Sequence, residues 1–433
     1  MKRLIDEKLL KWKNSGDRKP LVLYGARQVG KTYSVMEFGI THYASVAYFY
    51  LDNNPDLCRL FEEGISSISS LIVKLEAFSN QTIMLEKTLL VFDEVQTCSA
   101  ALNSLKLFYE TAPGYHIIAA GSLLGVALNR QGFSFPVGKV DELQMFPLTF
   151  EEYLMEFNPM LTSLIGESFM SNTPLSEGLH NQAIELFLQY LVIGGMPEAV
   201  MDFIKTRNYT LVKAKQLSIC NQYVSDMNKY TDTKTQAVRN EAVYNTLPSQ
   251  LAKENRKFQY AKIKSGARAN DYELSLSWLE KASVIIKCNK VSEGKEPLKN
   301  YEDFLSFKVY MSDVGLYCAK SNNSHLSILG RTMGDAAKGA LTETYVASQL
   351  HANGLKLFYW ESKNRAELDF VVQIENNIIP IEVKSWDAVR SQSLEVFRKR
   401  YDIGLAMRIS AKNFGFENGL KSVPPYAAWC IAP

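Results

Sequence analysis

The 433-residue sequence has few histidines and cysteines, and it contains no long apolar run. The five histidines show no metal-ligand spacing. The six cysteines lie at least 30 residues apart, without the close pairs that zinc sites and small disulfide scaffolds need. No apolar segment approaches the ~20 residues of a membrane helix, and the charged N-terminus does not read as a secretory signal. These absences argue against a membrane partner and predict a cytoplasmic location.

The net charge of +2 hides an asymmetry along the chain. Residues 1–199 carry 15 Lys and Arg against 22 Asp and Glu, whereas residues 200–310 carry 19 against 12. The length is about three times the ~150 residues of one domain, so the opposite charge blocks suggest separate domains with separate partners. The basic block is a candidate nucleic-acid surface, and a solvated face without a partner is the alternative.

Short apolar runs alternate with helix-length segments between residues 20 and 146. They are LVLY (21–24), VAYFYL (46–51), TLLVF (88–92), YHIIAA (115–120) and VDELQMF (140–146). Continuous β-rich runs with this spacing predict an α/β fold, with a parallel sheet and helices on both faces. The following region is helical in pattern, and residues 161–178, rich in Ser, Thr, Gly, Asn and Pro, are expected to be a linker.

A phosphate-binding pattern follows the first run. G-x-x-x-x-G-K-[ST] is matched by Gly25-Ala26-Arg27-Gln28-Val29-Gly30-Lys31-Thr32. In such a loop backbone N–H groups surround phosphate oxygens, while Lys31 reaches the β- and γ-phosphates and Thr32 binds Mg²⁺. The sequence therefore predicts a site for ATP and Mg²⁺ at residues 25–32.

Two adjacent carboxylates end the third run. Asp93 is expected to hold Mg²⁺ and Glu94 to polarise the attacking water, because phosphoryl transfer depends on positioning and charge stabilisation. Ser122 follows the fourth run, where it could sense the γ-phosphate or orient the water. A helix N-cap is an equally good interpretation of Ser122, and the two do not exclude each other.

The segments GARQVGKT, LLVFDEVQ, IIAAGSLLGVAL, FPVGKVDELQMFPLTFEEYL and YLVIGGMPEAV together resemble prokaryotic AAA+ superfamily ATPases. The resemblance implies an ATP-binding core, a small helical lid, a winged-helix-like section and a C-terminal PD-(D/E)XK nuclease-like, or restriction-endonuclease-like, α/β domain. Relatives commonly have an arginine where this chain has Lys139. A residue at this position would act in trans as an arginine finger. Arg130 is a rival for that role, and an ordinary surface lysine is the alternative.

Six basic residues lie between positions 253 and 268, with Phe258 and Tyr260 among them: Lys253, Arg256, Lys257, Lys262, Lys264 and Arg268. Such a cluster can neutralise phosphates without reading sequence. Residues 270–281 could form a recognition helix. Core packing is the competing interpretation for the aromatic residues, and solvation for the lysines.

Carboxylates and a lysine are expected to converge near the C-terminus. A two-residue loop at Asn376-Asn377 would place Asp369 opposite Lys384, with Glu382 on the same face. Asp369 and Glu382 would then bind Mg²⁺ or Mn²⁺, and Lys384 would orient or deprotonate water. Glu343 matches the extra acid of resolvase-like members of the nuclease superfamily. The nearby Glu361 and Glu367 are expected to be solvent-exposed.

The sequence thus predicts four domains: an ATPase core (1–160), a helical lid (161–235), a winged-helix-like section (236–328) and a nuclease-like domain (329–433). The predicted function is a Mg²⁺-dependent ATPase acting on nucleic acid, with DNA favoured over RNA. The alternative is a nucleotide-gated binding or regulatory module whose nuclease-like domain is inactive. A protein-remodelling ATPase is a third hypothesis, so a protein partner and association into homo-oligomers stay open.

Overall fold

The computed structural model describes residues 1–64, 67–127, 136–231, 233–253, 256–362, 366–384 and 392–433. The chain divides into two compact units, Met1–Phe146 and Pro147–Pro433. The domain boundaries predicted after residues 160, 235 and 328 all fall inside the second unit. The four-domain division stays a prediction.

The first unit is an α/β fold around a parallel sheet. Its strands are β1 (Leu21–Tyr24), β2 (Ser45–Tyr50), β3 (Thr88–Asp93), β4 (His116–Gly121) and β5 (Asp141–Gln144), in the order β2-β3-β4-β1-β5. Its helices are α1 (Ile5–Lys13), α2 (Lys31–His42), α3 (Pro55–Gly64), α4 (Ile68–Ser79), α5 (Ser99–Thr111) and α6 (Leu124–Ala127). The predicted parallel sheet is confirmed, and each predicted run coincides with its strand to within two residues at either end.

The burial of the strands follows their places in the sheet. The inner strands β3 and β4 are buried along their whole length. The edge strand β2 alternates buried and exposed residues over its second half, and every residue of the edge strand β5 is exposed or half-buried. Helices cover both faces of an inner parallel strand, which explains why TLLVF and HIIAA are continuous apolar runs. The core of this unit forms around these strands together with α3, α4 and α5.

The second unit begins with helices α7 (Phe150–Phe157), α8 (Pro159–Ser171), α9 (Glu177–Ile193), α10 (Pro197–Thr206), α11 (Tyr209–Lys229), α12 (Lys234–Leu251) and α13 (Ala269–Lys281). The linker predicted at 161–178 is wrong over most of its length, because α8 occupies it. Asn158 caps this helix by accepting the Leu161 N–H at 3.1 Å, and Leu161, Ile165 and Phe169 are buried at helical spacing. Apolar periodicity therefore outweighs the polar composition of the segment.

The second unit also contains an eight-stranded mixed sheet. The strands are β6 (Ile285–Val291), β7 (Glu302–Met311), β8 (Phe358–Glu361), β9 (Glu367–Ile374), β10 (Asn377–Val383), β11 (Ala406–Ile409), β12 (Gly415–Glu417) and β13 (Leu420–Val423). Their order is β12-β13-β11-β10-β9-β8-β6-β7. The remaining helices are α14 (Val314–Lys320), α15 (His325–Leu329), α16 (Asp335–Ala352) and α17 (Gln392–Tyr401).

The two strands of the predicted winged-helix-like section, β6 and β7, belong to this sheet. β6 and β7 pair antiparallel, as a wing would, but β6 also pairs in parallel with β8. One sheet therefore crosses the boundary predicted at residue 328. Helix α13 forms where a recognition helix was expected, and it buries Trp278 and Leu279 while Leu274 is exposed.

Among the described residues no single helix is long and apolar enough to span a membrane, although the pair α9 and α10, bent by 118°, meets the same length and composition limits.

Cys58 and Cys98, 40 residues apart in sequence, form a disulfide with their Cα atoms 5.8 Å apart. Residue spacing alone did not reveal this pairing, because the fold of the first unit brings α3 beside the start of α5.

Candidate nucleotide site and carboxylate face

The predicted phosphate loop is a compact turn between β1 and α2. Gly25 has φ +149°, and a Cβ there would clash with the Met145 carbonyl oxygen, so only glycine fits. Gly30 is the left-handed N-cap of α2, and the Arg3 guanidinium donates to the Val29 carbonyl at 2.8 Å. The loop therefore has a fixed backbone that ends at a helix N-terminus, the arrangement that anion binding uses.

Within this loop Lys31 is buried and points back across the turn. Its Nζ donates to the carbonyl oxygens of Gly25 at 3.1 Å and Ala26 at 2.8 Å. Arg27 and Gln28 are half-buried, and Gln28 has φ +64°. The lysine ammonium thus lies inside the curve of the loop that the pattern predicted.

Asp93 lies at the carboxyl end of β3 and meets the loop. Its Oδ2 accepts hydrogen bonds from the Thr32 hydroxyl at 2.7 Å and the Tyr48 hydroxyl at 2.8 Å, and its Oδ1 accepts the Glu94 N–H at 2.9 Å. Asp93 is 4% exposed. The predicted Mg²⁺ ligands Thr32 and Asp93 are therefore brought together, at the edge where parallel sheets place their ligands.

Glu94 and Ser122 also meet. Glu94 adopts a left-handed backbone, with φ +53°, directly after the strand. Its Oε2 accepts the Gln96 side-chain amide at 2.5 Å and the Ser122 hydroxyl at 3.4 Å. Carboxylate, amide and hydroxyl thus form a small polar group beside the phosphate loop.

Tyr48 and Gln96 are the two residues of this site that the sequence analysis missed. Burial, followed by the hydrogen bond to Asp93, raises the pKa of Tyr48 above its ordinary value. Tyr48 lies in the predicted run VAYFYL, but only the strand order of the structure reveals that this run, β2, lies beside β3. The signal for Gln96 was its position two residues after Glu94.

Lys139 and Arg130 are the two candidates for the residue that acts in trans. The Lys139 ammonium lies 3.2 Å from a Glu110 carboxylate oxygen and 5.2 Å from the ring centroid of Tyr109. Arg130 lies outside the described residues. The role in trans stays a prediction.

The C-terminal hairpin forms with a different register from the predicted one. Asn377 pairs with Ile374, so the two-residue loop is Glu375-Asn376, and Glu375 adopts φ +51°. The loop predicted at Asn376-Asn377 is wrong, because the pairing of β9 with β10 outweighs the left-handed preference of Asn. Continuing the register brings Asp369 opposite Glu382 rather than Lys384.

Asp369, Glu382 and Lys384 nevertheless stay on one face of the sheet. Asp369 Oδ2 accepts the Val383 N–H at 2.8 Å, and the Lys384 ammonium lies 2.8 Å from Glu382 Oε1. Glu382 is 3% exposed, and its Oε2 is buried with no hydrogen-bond partner. That oxygen is a buried carboxylate atom that no hydrogen bond of the described residues satisfies.

Glu343 lies on α16 and is bound by a residue of the basic block. It is 2% exposed, its Oε2 accepts the Tyr310 hydroxyl at 3.1 Å, and its Oε1 forms an ion pair with Arg256 Nη1. Arg256 comes from the segment that was expected to face nucleic acid. It instead neutralises a buried carboxylate of its own chain.

The neighbouring acids are paired in the same way. Glu361 forms ion pairs with Lys257 and, at 2.7 Å, with Lys290, and Glu367 pairs with the buried Lys308 at 2.5 Å. Both acids are half-buried, so the expected solvent exposure is wrong. Within the described ranges no group of three or more His, Cys, Asp or Glu is arranged to hold a metal ion. We call the five acids and their cation partners the carboxylate face: Glu343, Glu361, Glu367, Asp369 and Glu382, with Arg256, Lys257, Lys290, Lys308 and Lys384.

Three of the remaining basic residues of the segment are open to solvent. Lys262, Lys264 and Arg268 are exposed, and burial followed by the nearby Lys262 lowers the pKa of Lys253. Lys253 and Lys262 are therefore close neighbours of like charge. Phe258 stacks on Phe307 at 5.4 Å, so this aromatic packs within the protein.

Three family models match the chain. An AAA domain matches residues 17–154, and domains of unknown function match residues 184–327 (DUF8612) and 338–427 (DUF4143). No curated protein matches the sequence.

Solved structures give distant matches. The chain is similar to the Aeropyrum pernix ORC1 protein in complex with DNA, with 11% identity over 76% of this chain and 92% of that chain and a TM-score of 0.28. It is also similar to A. pernix ORC2 (11% identity, 77% and 95% covered, TM-score 0.34) and to AMPPCP-bound DnaA from Aquifex aeolicus (14% identity, 64% and 85% covered, TM-score 0.27). TM-scores of 0.27 to 0.34 are too low to establish a shared fold. The match of residues 17–154 to an AAA domain agrees with the parallel sheet and with the phosphate-binding pattern of residues 25–32.

Proposed function

We propose that the protein binds and hydrolyses ATP in a Mg²⁺-dependent reaction and couples this cycle to nucleic acid, with DNA favoured. The observation that carries the first part is the contact of Thr32 with Asp93 beside the phosphate loop. A hydroxyl and a carboxylate oxygen are ligands that Mg²⁺ prefers, and both already point to one place. The residues therefore fit the metal.

Each residue of the site has a distinct role in this proposal. Backbone N–H groups of residues 25–32 bind phosphate oxygens, and the Lys31 ammonium turns from the loop carbonyls to the phosphates. Thr32 and Asp93 would hold Mg²⁺, which neutralises phosphate charge when bound. Glu94 accepts a hydrogen bond from the attacking water and orients it, while Gln96 and Ser122 fix the Glu94 carboxylate.

The test of the ATPase is Lys31→Ala. We expect loss of ATP hydrolysis, measured as phosphate release, and a large loss of affinity for a fluorescent ATP analogue. Lys74→Ala is the matched control, because Lys74 is a lysine in the same unit whose partner, Glu63, is exposed. Unchanged hydrolysis in Lys31→Ala would refute the proposed enzyme.

The proposal for nucleic acid depends on the exposed part of the basic segment. Lys253 and Lys262 are close neighbours. Lys262, Lys264 and Arg268 face solvent. Among the described contacts the one carboxylate that binds any of these three residues is Asp271, which accepts the backbone N–H of Arg268. Clustered, unneutralised lysines bind phosphates in a salt-dependent manner. We expect Lys262→Gln with Lys264→Gln to weaken binding to single-stranded and duplex DNA, and to reduce its salt dependence, without unfolding the protein.

The C-terminal nuclease activity is a separate part of the proposal. Asp369 and Glu382 would hold Mg²⁺ or Mn²⁺, Lys384 would position water, and Glu343 would add a fourth polar group. The unpartnered Glu382 Oε2 supports this assignment. Branched, single-stranded and duplex DNA incubated with Mg²⁺ or Mn²⁺, with and without ATP, test it. Cleavage that Asp369→Ala removes, with ATP hydrolysis intact, is the expected result.

Two alternatives predict different results in the same assay. A change in DNA mobility without new products would show binding without cleavage and so favours a nucleotide-gated clamp. The cationic partners of the carboxylate face are consistent with such an inert domain. ATPase stimulation by protein but never by DNA or RNA favours a remodelling ATPase, for which the basic segment would bind an acidic partner.

A further inference from the structure

Arg3 reaches the phosphate loop from a segment outside the phosphate-binding pattern. It precedes α1 and is 6% exposed. Its Nη1 donates to the Val29 carbonyl at 2.8 Å, and its Nη2 donates to the Phe146 carbonyl at 2.8 Å. Its backbone N–H donates to Asp6 Oδ2 at 3.2 Å, in the first turn of α1. Arg3 is therefore a buried, anchored cation that joins the loop to the segment after β5.

The hydrogen bond to Val29 fixes the direction of the next N–H group in the loop. The Val29 carbonyl and the Gly30 N–H belong to one planar peptide group, and in a trans peptide they point in opposite directions. A carbonyl held toward Arg3 therefore turns the Gly30 N–H away from Arg3. Gly30 is the N-cap of α2, a position whose free N–H groups face a bound anion, and its N–H has no partner among the described contacts.

The hydrogen bond to Phe146 holds the segment against which the loop begins. Met145 immediately precedes Phe146, and its carbonyl oxygen lies where a Cβ of Gly25 would be. Arg3 thus holds the loop directly near its end, at Val29, and holds the neighbour of its first residue. Replacing the guanidinium would release both contacts at once.

The charge of Arg3 acts in the same direction as its geometry. Arginine stays protonated in proteins, so both hydrogen bonds are charge-assisted. A carbonyl that accepts such a bond polarises its peptide group, because linked hydrogen bonds strengthen one another in a low-dielectric interior. The Gly30 N–H is therefore a stronger donor toward an anion when Arg3 is present.

We propose that Arg3 is a positioning residue for nucleotide binding: its guanidinium holds the Val29–Gly30 peptide group so that the Gly30 N–H faces the phosphates. The inference rests on the proposed ATP site and extends it to a residue before the AAA match, which begins at residue 17. Gln96 and Ser122, rather than Arg3, orient Glu94. Arg3 should therefore act on nucleotide affinity and not on the hydrolysis step.

The experiment compares Arg3→Gln with the wild type, both as the full chain. We expect the KM for ATP, measured by phosphate release, to rise roughly tenfold or more, the effect of losing a hydrogen bond from a charged donor. The kcat should stay within about threefold, the signature of an interaction made equally in the ground and transition states. Affinities for ATP and ADP, measured by displacement of a fluorescent analogue, should fall by similar factors, because loop N–H groups surround the α- and β-phosphates.

Arg18→Gln is the matched control. Arg18 also donates to two backbone carbonyls of the first unit, those of Lys13 at 3.2 Å and Pro113 at 3.3 Å. Pro113 comes before the amino end of β4, whereas the phosphate loop lies at the carboxyl edge of the sheet. We expect this variant to retain the wild-type KM and the wild-type affinity for ADP.

The possible results separate the inference from its foundation. If the wild type neither binds nor hydrolyses ATP, the proposed function fails, and the inference fails with it. If the wild type is active but folded Arg3→Gln keeps its KM, or loses kcat at unchanged KM, the positioning role alone is refuted. An equal rise of KM in Arg18→Gln, or a loss of ATP affinity without a loss of ADP affinity, also refutes that role.

Arg3→Lys tests the inference if Arg3→Gln fails to fold, as judged by circular dichroism. Lysine retains the positive charge but lacks the planar fork that donates to two carbonyls. We expect the KM for ATP to rise by a smaller factor, roughly threefold, because one neutral-acceptor hydrogen bond is lost. The kcat should again be unchanged. A wild-type KM in folded Arg3→Lys contradicts the role of the two-carbonyl contact.

Discussion

Carboxylates in the two units are satisfied by different kinds of partner. In the first unit Asp93 and Glu94 accept hydrogen bonds from hydroxyls, a side-chain amide and a backbone N–H. In the carboxylate face Glu343, Glu361 and Glu367 are paired with arginine or lysine. Neutral donors orient a carboxylate and leave its charge, whereas cations cancel that charge.

This difference predicts different behaviour toward a metal ion. Asp93 and Glu94 form no ion pair among the described contacts, so the proposed Mg²⁺ could approach them without breaking one. In the carboxylate face Glu343, Glu361 and Glu367 would first have to lose a cationic partner. We therefore expect a metal ion to enter the first site at a lower cost than it approaches these three acids.

The largest expected effect is that of Glu94→Gln, which tests whether the charge of the first site is used. We expect ATP hydrolysis to fall roughly 10²–10⁴-fold, because a carboxylate that accepts a proton or orients water contributes about this much. ATP binding should stay within a few-fold of the wild type. Phosphate release and analogue binding measure the two properties.

Glu63→Gln is the control for this variant, since Glu63 is exposed and pairs with Lys74. Equal losses of binding and hydrolysis in Glu94→Gln would contradict the assigned role and indicate a structural one.

The second prediction tests the pairing in the carboxylate face. Arg256→Gln and Glu343→Gln each leave a buried charge without its partner, so each should lower the free energy of unfolding by about 3–5 kcal/mol. The double variant should lose less than the sum of the two, because neither charge is left unpaired. Urea denaturation measures all three.

Glu395→Gln is the comparison, because Glu395 and Lys399 form an exposed pair on α17. Exposed pairs contribute about 0–1 kcal/mol, so this variant should be nearly neutral. Additive losses in the Arg256/Glu343 cycle would show that the two residues do not interact.

The two sites differ in how much of their structure could be predicted from the sequence. The phosphate loop, Asp93, Glu94 and Ser122 are local patterns at the ends of apolar runs, and parallel strands bring their carboxyl ends to one edge. Each of these could be predicted from a few neighbouring residues.

The partners in the carboxylate face depend on long-range pairing. Arg256 and Lys257 reach Glu343 and Glu361 only because the segment after α12 runs beside β7, where Lys257 forms a bridge with Lys308. No local pattern encodes this contact. The hairpin register was missed for the same reason, since packing in the sheet decides between loops that turn preferences barely distinguish.

Asp313 provides a third kind of carboxylate and a pH test. It is buried in the second unit with no cation among its described contacts, and it accepts N–H groups of Gly195 at 2.6 Å and Leu316 at 2.8 Å. Burial outweighs these hydrogen bonds and raises the pKa of Asp313 to about 6. By contrast, although burial alone would raise it, the pKa of Glu361 is lowered by Lys257 and Lys290.

The sign of the pH dependence follows from the raised pKa. Between pH 4 and 6 folded Asp313 holds its proton more tightly than the unfolded chain does, so the stability of the second unit should fall as pH rises through this range. The contribution is at most about 3 kcal/mol and should be constant above pH 7. Asp313→Asn should remove this slope from urea denaturation curves, whereas the exposed Asp335→Asn should retain it. An identical slope in Asp313→Asn would contradict the prediction.

The smallest expected effect concerns Tyr48, one of the two site residues that the sequence analysis missed. Its hydroxyl shares Asp93 Oδ2 with Thr32, and hydrogen-bond partners of this kind orient a metal-binding carboxylate. Tyr48→Phe should raise the Mg²⁺ concentration for half-maximal ATPase activity roughly fivefold, which corresponds to one hydrogen bond of about 1 kcal/mol. Tyr50→Phe is the matched control, because Tyr50 lies two residues further along the same edge strand and its hydroxyl makes no described bond to Asp93. If Tyr48→Phe lowers the Mg²⁺ requirement, the hydroxyl competes with the metal instead of positioning its ligand, and neutral donors too would have to leave when the metal binds.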